Sequence, residues 1–253
     1  MRKQPAKKKQ RIYQIYGING CFNIVQEKKL NIIQIDIMAG GNAEKKKWIN
    51  NLAKVKKYPV NRMLKDHFLK KYAGKRTQGI VVSFQGEIIQ SLPSYKKSQE
   101  NECILVVDNL EDPQNLGQII RTAECAGIDG IIFPSHNSFK LTNTIINISQ
   151  GAFVNMHLYE VTNISTTILE LKKNDYWIIG IENSIDSKLW SELDYSGNIA
   201  IVVGSEGKGI RKKVIDHCDF LGNIPMQGNT NSLNVSAAVS AVLFERLRQI
   251  KFK

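Results

Sequence analysis

Three polar, glycine-containing segments carry the residue types in this chain that could do chemistry. The first, Asp108-Asn109-Leu110-Glu111-Asp112-Pro113-Gln114-Asn115-Leu116-Gly117-Gln118-Ile119-Ile120-Arg121-Thr122-Ala123, follows an apolar run. Open α/β sheets place ligands at the ends of buried strands, so its carboxylates, the Asn115 amide and the Arg121 guanidinium are candidates for binding or catalysis. The ordinary alternative for Arg121 is a helix-surface arginine paired with Glu124 or Asp112, and composition alone favours it. The second segment is Gly204-Ser205-Glu206-Gly207-Lys208-Gly209. Its glycines stand at positions 1, 4 and 6, which fits neither the dinucleotide fingerprint nor a phosphate-binding loop. A sharp turn or a close approach by a ligand accounts equally well for three glycines in six residues. The third runs from Ile224-Pro225-Met226 through Gly228 to Ser232-Leu233-Asn234-Val235-Ser236, and seven of its side chains from Gln227 to Ser236 offer amides or hydroxyls. Ser232 or Asn234 could cap the helix that follows, but one cap needs only one residue.

Those segments need a frame, and the apolar pattern describes one. Continuous apolar runs at Cys103 to Val107, Gly130 to Phe133, Trp177 to Ile181, Ile199 to Val203 and Phe220 to Ile224 suit strands of a parallel sheet buried on both faces. Helical stretches at Gln114 to Ala126, Leu141 to Ser149, Ile164 to Lys173, Ile210 to His217 and Leu233 to Ile250 alternate with them, so an α/β domain is expected over 102–253. Ahead of it, a smaller α/β domain is expected over 12–90. There Ile12 to Lys29 fits a helix entered from a turn at Gly17, and Asn31 to Met38 alternates as a strand. Helical spacing recurs at Trp48, Ile49, Leu52 and Val55 and again from Met63 to Phe68, and Gly79 to Phe84 reads as a closing strand. Residues 91–101 lack periodicity and read as a linker, and 1–11 as a basic tail.

Charge divides the chain at the same place. Residues 1–101 carry a net +16 and residues 102–253 a net −4, within a total of +12 over 253 residues. Such asymmetry points to one unit that attracts a polyanion, RNA first among them, through clusters such as Lys45 to Lys47 and Lys65 to Arg76. No apolar run approaches the roughly 18 residues of a bilayer span, and the N-terminal residues lack a secretory core. Cys21, Cys103, Cys125 and Cys218 are widely spaced with no nearby histidine cluster, so neither a zinc site nor a disulfide framework is indicated. Reduced, mostly buried thiols in a cytoplasm are expected.

Taken together, Asp112-Pro113-Gln114-Asn115-Leu116-Gly117 with Arg121-Thr122-Ala123, Val203-Gly204-Ser205-Glu206-Gly207-Lys208-Gly209, and Ile224-Pro225-Met226 with Ser232-Leu233-Asn234-Val235-Ser236-Ala237-Ala238 resemble the three signature motifs of SpoU-type (TrmH) RNA 2′-O-ribose methyltransferases. The likeness extends over residues 103–250. Tyr16-Gly17-Ile18-Asn19 and Gln78-Gly79-Ile80-Val81 also resemble the two ends of the small RNA-binding domain on members that act on ribosomal RNA, and the resemblance is greatest to those that methylate a guanosine of 23S ribosomal RNA. It implies a parallel α/β sheet with a C-terminal trefoil knot, a homodimer with a composite active site, and S-adenosyl-L-methionine (AdoMet) as cofactor with no metal. It places AdoMet against Gly204, Ile224 and Leu233 with Met226 and Gly207 nearby, and makes Arg121, Asn115, Glu206, Ser232 and Asn234 the catalytic set. The chain departs from the family pattern at Gln118, where a small residue is usual, and at Thr77, where histidine is.

Ribose methylation requires in-line attack of a 2′-hydroxyl on a sulfonium methyl. A guanidinium is a weak base, with a pKa above about 12, so Arg121 is expected to stabilise the developing oxyanion and an adjacent phosphate. Asn115 and Glu206 would orient Arg121, while Ser232 and Asn234 would hold the loop and the RNA phosphate. The alternatives are methylation of transfer RNA or another ribosomal RNA site, and a non-catalytic RNA-binding or ribosome-assembly protein.

Overall fold

The computed structural model describes residues 11–27, 29–49, 51, 58–92, 101–110, 112–136, 140–184, 187–205, 207–230 and 232–252. Residues 1–10 of the expected tail, most of the expected linker and the helical spacing through Leu52 and Val55 lie outside them. The chain forms two compact units, Met1–Glu87 and Ile88–Lys253. This moves the division from the expected 90/91 to 87/88, because Ile89–Ser91 pairs as a strand within the second unit.

The first unit is a four-stranded mixed sheet. Strand β1 (Tyr13–Tyr16), helix α1 (Ile18–Gln26), β2 (Asn31–Met38), β3 (Val60–Met63), helix α2 (Lys65–Lys71) and β4 (Ile80–Gln85) follow in order. The sheet order is β1-β4-β2-β3, with only the β2-β3 pair parallel. The expected helix from Ile12 is thus corrected at its start. Tyr13-Gln14-Ile15-Tyr16 alternates and pairs antiparallel with β4, and the helix begins only after Gly17, at φ 89°. Gln78 crosses sixty positions to cap it, its Oε1 accepting the Ile18 N–H at 2.8 Å. Thr77 is buried, and its carbonyl accepts from Gly17 and Ile80.

Asp36 on β2 is buried, and its carboxylate accepts hydrogen bonds from Lys71 Nζ at 2.6 Å, Asn61 Nδ2 at 3.1 Å and the Tyr72 hydroxyl. Burial pushes this carboxyl up, but the three donors and the Lys71 charge outweigh it and hold the group below the ordinary carboxylate value. A carboxylate with a lowered folded-state pKa contributes stability above its unfolded value of about 3.9, and that contribution is lost as pH falls through the lower folded value. Chemical denaturation of the wild type and Asp36→Asn should therefore show a wild-type advantage at pH 6 that narrows steadily below about pH 4.

The second unit is built on eight parallel strands. In chain order they are β5 (Ile89–Ser91), β6 (Cys103–Val107), β7 (Gly130–Pro134), β8 (His157–Val161), β9 (Trp177–Ile181), β10 (Lys188–Leu189), β11 (Ile199–Val203) and β12 (Phe220–Asn223). They are interleaved with helices α3 (Pro113–Cys125), α4 (Asn143–Ile148), α5 (Ile164–Lys173), α6 (Lys212–Ile215) and α7 (Val235–Lys251). The sheet order is β10-β12-β9-β11-β6-β7-β8-β5 and every neighbouring pair is parallel, so the expected α/β class holds. Ile104, Val106, Ile132, Ile178, Ala200 and Val202 form one core with Ile164, Ile168 and Leu171 of α5 and Val214 of α6. The intervening Cys103, Leu105, Val107, Ile131 and Ile201 point to the other face by the two-residue period and are equally buried. Strand β8 escapes sequence reading because exposed His157 and Glu160 interrupt its apolar pattern. Cys21 and Cys103 are buried and Cys218 half-buried, but Cys125 is exposed, contrary to the expectation of mostly buried thiols at that position. No described helix is long and apolar enough to cross a membrane.

Helix α3 packs on α4 and α7. At Gly117 a Cβ would meet Ile148 Cβ at 2.6 Å, a branched position that cannot swing aside. Alanine gains about 1 kcal/mol over glycine in a helix interior, but overpacking costs about 1–3 kcal/mol. Gly117→Ala is expected to be destabilising overall, read as a lower midpoint in urea unfolding.

Candidate functional site

Chain order reverses beside β6, with β7 and β8 on one side and β11, β9 and β12 on the other. In open parallel sheets ligands sit beyond the carboxyl ends of strands at such a reversal. Here the Asp108 N–H, directly after β6, donates to the Val203 carbonyl at the end of β11, at 2.8 Å.

The chain leaving β11 turns at once. A Cβ on Gly204 would lie 2.0 Å from the Gly209 carbonyl carbon and 2.3 Å from Ile210 N, so glycine is required there. Gly207 and Gly209 have φ of 84° and 63°, and the Gly209 N–H closes the turn on the Ser205 carbonyl at 3.0 Å. Two consecutive amides then bind carboxylates from different strands. Ile210 N–H donates to Glu182 Oε2 at 2.8 Å, and Arg211 N–H to Asp108 Oδ2 at 3.0 Å. The Arg211 guanidinium also grips Asp108, with Nε 2.9 Å and Nη2 2.5 Å from Oδ1. Asp108 is fully buried.

This loop floors a cavity of ≈ 370 Å³ beyond β9, β11 and β12. Gly204, Gly207, Ile224, Met226 and Leu233, the five residues expected at the cofactor, all line it, as does Ser232. Sequence reading missed Glu182 and Asn183, also on the wall, which carry no signal beyond their place after a buried strand. It also did not join Asp108 to Arg211, since their pairing spans 103 positions.

The remaining predicted residues divide. Asp112 caps α3, its carboxylate accepting the Gln114 N–H at 2.8 Å, and Pro113 occupies the first turn, where its missing donor is harmless. Asn115 is buried one turn in and accepts from Asn234 Nδ2 at 2.9 Å. Asn234 is the cap of α7, its Oδ1 accepting the Ser236 N–H at 2.9 Å, so the capping alternative and the pairing with Asn115 are both realised in one side chain. The Ser236 hydroxyl reaches Gln118 Oε1 at 2.7 Å, so the residue that departs from the family pattern is tied to the first turn of α7. Arg121 does not join the first cavity. It is exposed on α3 and lines a second concavity of ≈ 480 Å³ with Gln118, Thr122, Ile148, Ser236, Ala237 and Ser240. The first turn of α7 thus forms a wall of both, with Val235 and Ala238 on one side and Ser236 and Ala237 on the other. The ordinary ion pair is not formed among the described residues: Glu124 accepts instead from Asn155 Nδ2 at 3.0 Å. Glu206 lies outside the described residues.

The Asp108–Arg211 pair has a measurable consequence. Arg211→Met would strand a fully buried carboxylate. The loss should be about 3 kcal/mol, the low end for breaking a buried pair, because the Arg211 side chain is 54% exposed. Adding Asp108→Asn removes the stranded charge, so the double variant should unfold at higher urea concentration than Arg211→Met alone.

Residues 102–244 match the SpoU rRNA Methylase family. A protein of Staphylococcus saprophyticus named for the TrmH family of tRNA/rRNA methyltransferases is 45% identical over 157 residues, 61% of this chain and 62% of that protein's length. Among solved structures, an RNA 2′-O ribose methyltransferase superposes with a TM-score of 0.79 at 23% identity, over 95% of this chain and 90% of that one. The SpoU methyltransferase AviRb of Streptomyces viridochromogenes, in complex with AdoMet, gives 0.77 at 20% identity over 96% and 92%.

Proposed function

The chain belongs to the SpoU rRNA methylase family, and on that premise we propose that it transfers a methyl group from AdoMet to a ribose 2′-hydroxyl of RNA, a guanosine of 23S ribosomal RNA being the substrate. One observation carries the reading: residues from two separate sequence segments, Gly204 and Gly207 from one and Ile224, Met226 and Leu233 from the other, converge on a single cavity. Its volume lies in the usual range for small-molecule sites, about 300–1,000 Å³.

The residues present fit such a cofactor. Ile181, Val203 and Val235 give apolar walls for a nucleoside, and Gly204 brings bare backbone to the cavity. Among the described residues the Ser205 hydroxyl is buried on the lining without a hydrogen-bond partner, which leaves a polar group for a ligand to satisfy. When bound, AdoMet supplies an electrophilic methyl group on a sulfonium.

The chain's own part is to position and to stabilise. Positioning alone contributes several kcal/mol to such a transfer. The Arg121 guanidinium stabilises the 2′-oxyanion and a neighbouring phosphate as the hydroxyl proton passes to water. Its place on the second concavity, apart from the cofactor residues, accords with a homodimer in which Arg121 serves the partner subunit's cavity. Asn115, tied to Asn234, fixes the first turns of α3 and α7 against each other. Ser232 stands on the cavity wall where it and Asn234 hold the loop and an RNA phosphate, and Glu206 orients Arg121. The exposed Lys45, Lys46, Lys47, Lys65, Lys70, Lys75 and Arg76 of the first unit grip the RNA backbone. The reading includes the C-terminal knot, RNA binding by the first unit and catalysis by the second, and action in the cytoplasm.

The test is methyl transfer from labelled AdoMet to protein-free 23S ribosomal RNA and to bulk transfer RNA, each from cells lacking this gene, with the modified ribose mapped. Label at one guanosine of 23S RNA is expected, and label in transfer RNA instead would overturn the substrate. Arg121→Ala should lower turnover by at least about a hundredfold, the scale of one oxyanion donor, while AdoMet binding stays near wild type. A variant that retains a tenth or more of the rate would sink the role given to Arg121.

A further inference from the structure

Glu182 brings the one charged side chain to the described lining of the cavity, and neither the family motifs nor the cofactor residues above include it. We infer that Glu182 is a cofactor-binding residue whose carboxylate accepts the ribose hydroxyls of the bound nucleoside. The inference rests on the cofactor reading above and adds to it the group that recognises the sugar.

The geometry leaves the carboxylate half-committed. Oε2 accepts the Ile210 N–H at 2.8 Å, which fixes the side chain against the glycine turn. A Cβ on Gly209 would meet Oε2 at 2.5 Å and Oε1 at 3.0 Å, so glycine at that position is what lets the carboxylate lie flat on the backbone. A carboxylate has about four acceptor sites, and one amide occupies one of them. Vicinal ribose hydroxyls are two adjacent donors that lose water on entering the cavity and need acceptors there. The other polar side chains on the wall, Asn183, Ser205 and Ser232, are neutral and are weaker acceptors.

Charge argues against the other partner a carboxylate could choose. The sulfonium loses its positive charge as the methyl leaves, so a carboxylate beside it would stabilise the ground state more than the transition state and slow the reaction. The amino-acid end of the cofactor carries its own carboxylate, which Glu182 would repel. The nucleoside is left as the part that a carboxylate can hold without penalty to the chemistry.

The experiment measures equilibrium binding to the full chain and to E182Q, with S-adenosylhomocysteine, 5′-methylthioadenosine, 3′-deoxy-S-adenosylhomocysteine and AdoMet as probes. Glutamine keeps an oxygen for the Ile210 N–H, so the loop stays anchored, and a thermal melt of E182Q checks that it does. Wild type should bind S-adenosylhomocysteine at least about tenfold more tightly than its 3′-deoxy analogue, the scale of a hydrogen bond to a charged group. In E182Q that ratio should fall close to one. Methylthioadenosine, which lacks the amino acid and the sulfonium, should lose affinity by the same factor as S-adenosylhomocysteine.

A purely structural Glu182 would weaken all four ligands together and leave the deoxy ratio intact, which overturns the inference. Loss confined to AdoMet would assign the carboxylate to the sulfonium, and loss that spares methylthioadenosine would assign it to the ammonium group; either overturns it as well. If wild type binds none of the probes, the cofactor reading itself fails, an outcome distinct from the other three and one that removes the inference with it.

Discussion

Two consecutive backbone amides, Ile210 and Arg211, are held by two carboxylates that issue from the ends of different strands. Everything at the cavity depends on that double anchor. The chain leaves β11, reverses within six residues and must stop in one place, because the glycines that permit the turn also leave it intrinsically loose. Glu182 from the end of β9 and Asp108 from the end of β6 lie on either side of β11 in the sheet. Their two bonds therefore refer the turn to strands on both flanks of the one it leaves. The glycine loop is consequently as well placed as the sheet, which is what a site with tolerances of a fraction of an ångström requires.

The anchor is bought by burying a charge. Asp108 has no exposed surface, and moving a carboxylate out of water costs several kcal/mol unless hydrogen bonds and a counter-charge offset it. Here a backbone N–H and two guanidinium nitrogens provide both, while the outer part of Arg211 remains in water and avoids a second full desolvation. Asp36 in the first unit solves the same problem with a different set of partners, an ammonium, a phenol and an amide. In each unit one buried carboxylate ties a sheet strand to a segment distant in sequence.

What could be read from the chain alone followed from the range of the interactions involved. Continuous apolar runs such as Cys103 to Val107 and Ile199 to Val203 are local signals, and they correspond to strands with those bounds. Strands β1 and β3 are four residues long and β3 has exposed Asn61 and Arg62 at its centre, so only pairing with their neighbours identifies them. Asp112 and Asn234 sit where capping rules put such residues, and both cap. The link from Asn234 to Asn115 spans 119 positions and that from Arg211 to Asp108 spans 103. No periodicity or propensity encodes contacts at such separations. Resemblance to a family singled out, from the sequence, five residues that the fold brings to one cavity wall. Glu182 belongs to none of the quoted motifs and could only be found by seeing what faces the cavity.

The order of the strands also sets a timetable for synthesis. β6 finds one neighbour soon, in β7, but its other neighbour is β11, whose first residue pairs with Cys103 from position 199. At about 5–20 residues per second, the ribosome needs roughly 5–20 s to deliver those 96 positions. For that interval the nascent chain holds Cys103-Ile104-Leu105-Val106-Val107 with one edge unpaired, a five-residue apolar strand of the kind that recruits other chains. In the finished sheet the two outermost strands are only two and three residues long, so little edge remains to recruit anything. The period of greatest exposure to aggregation thus falls during translation, when the middle of the sheet is still waiting for its second neighbour.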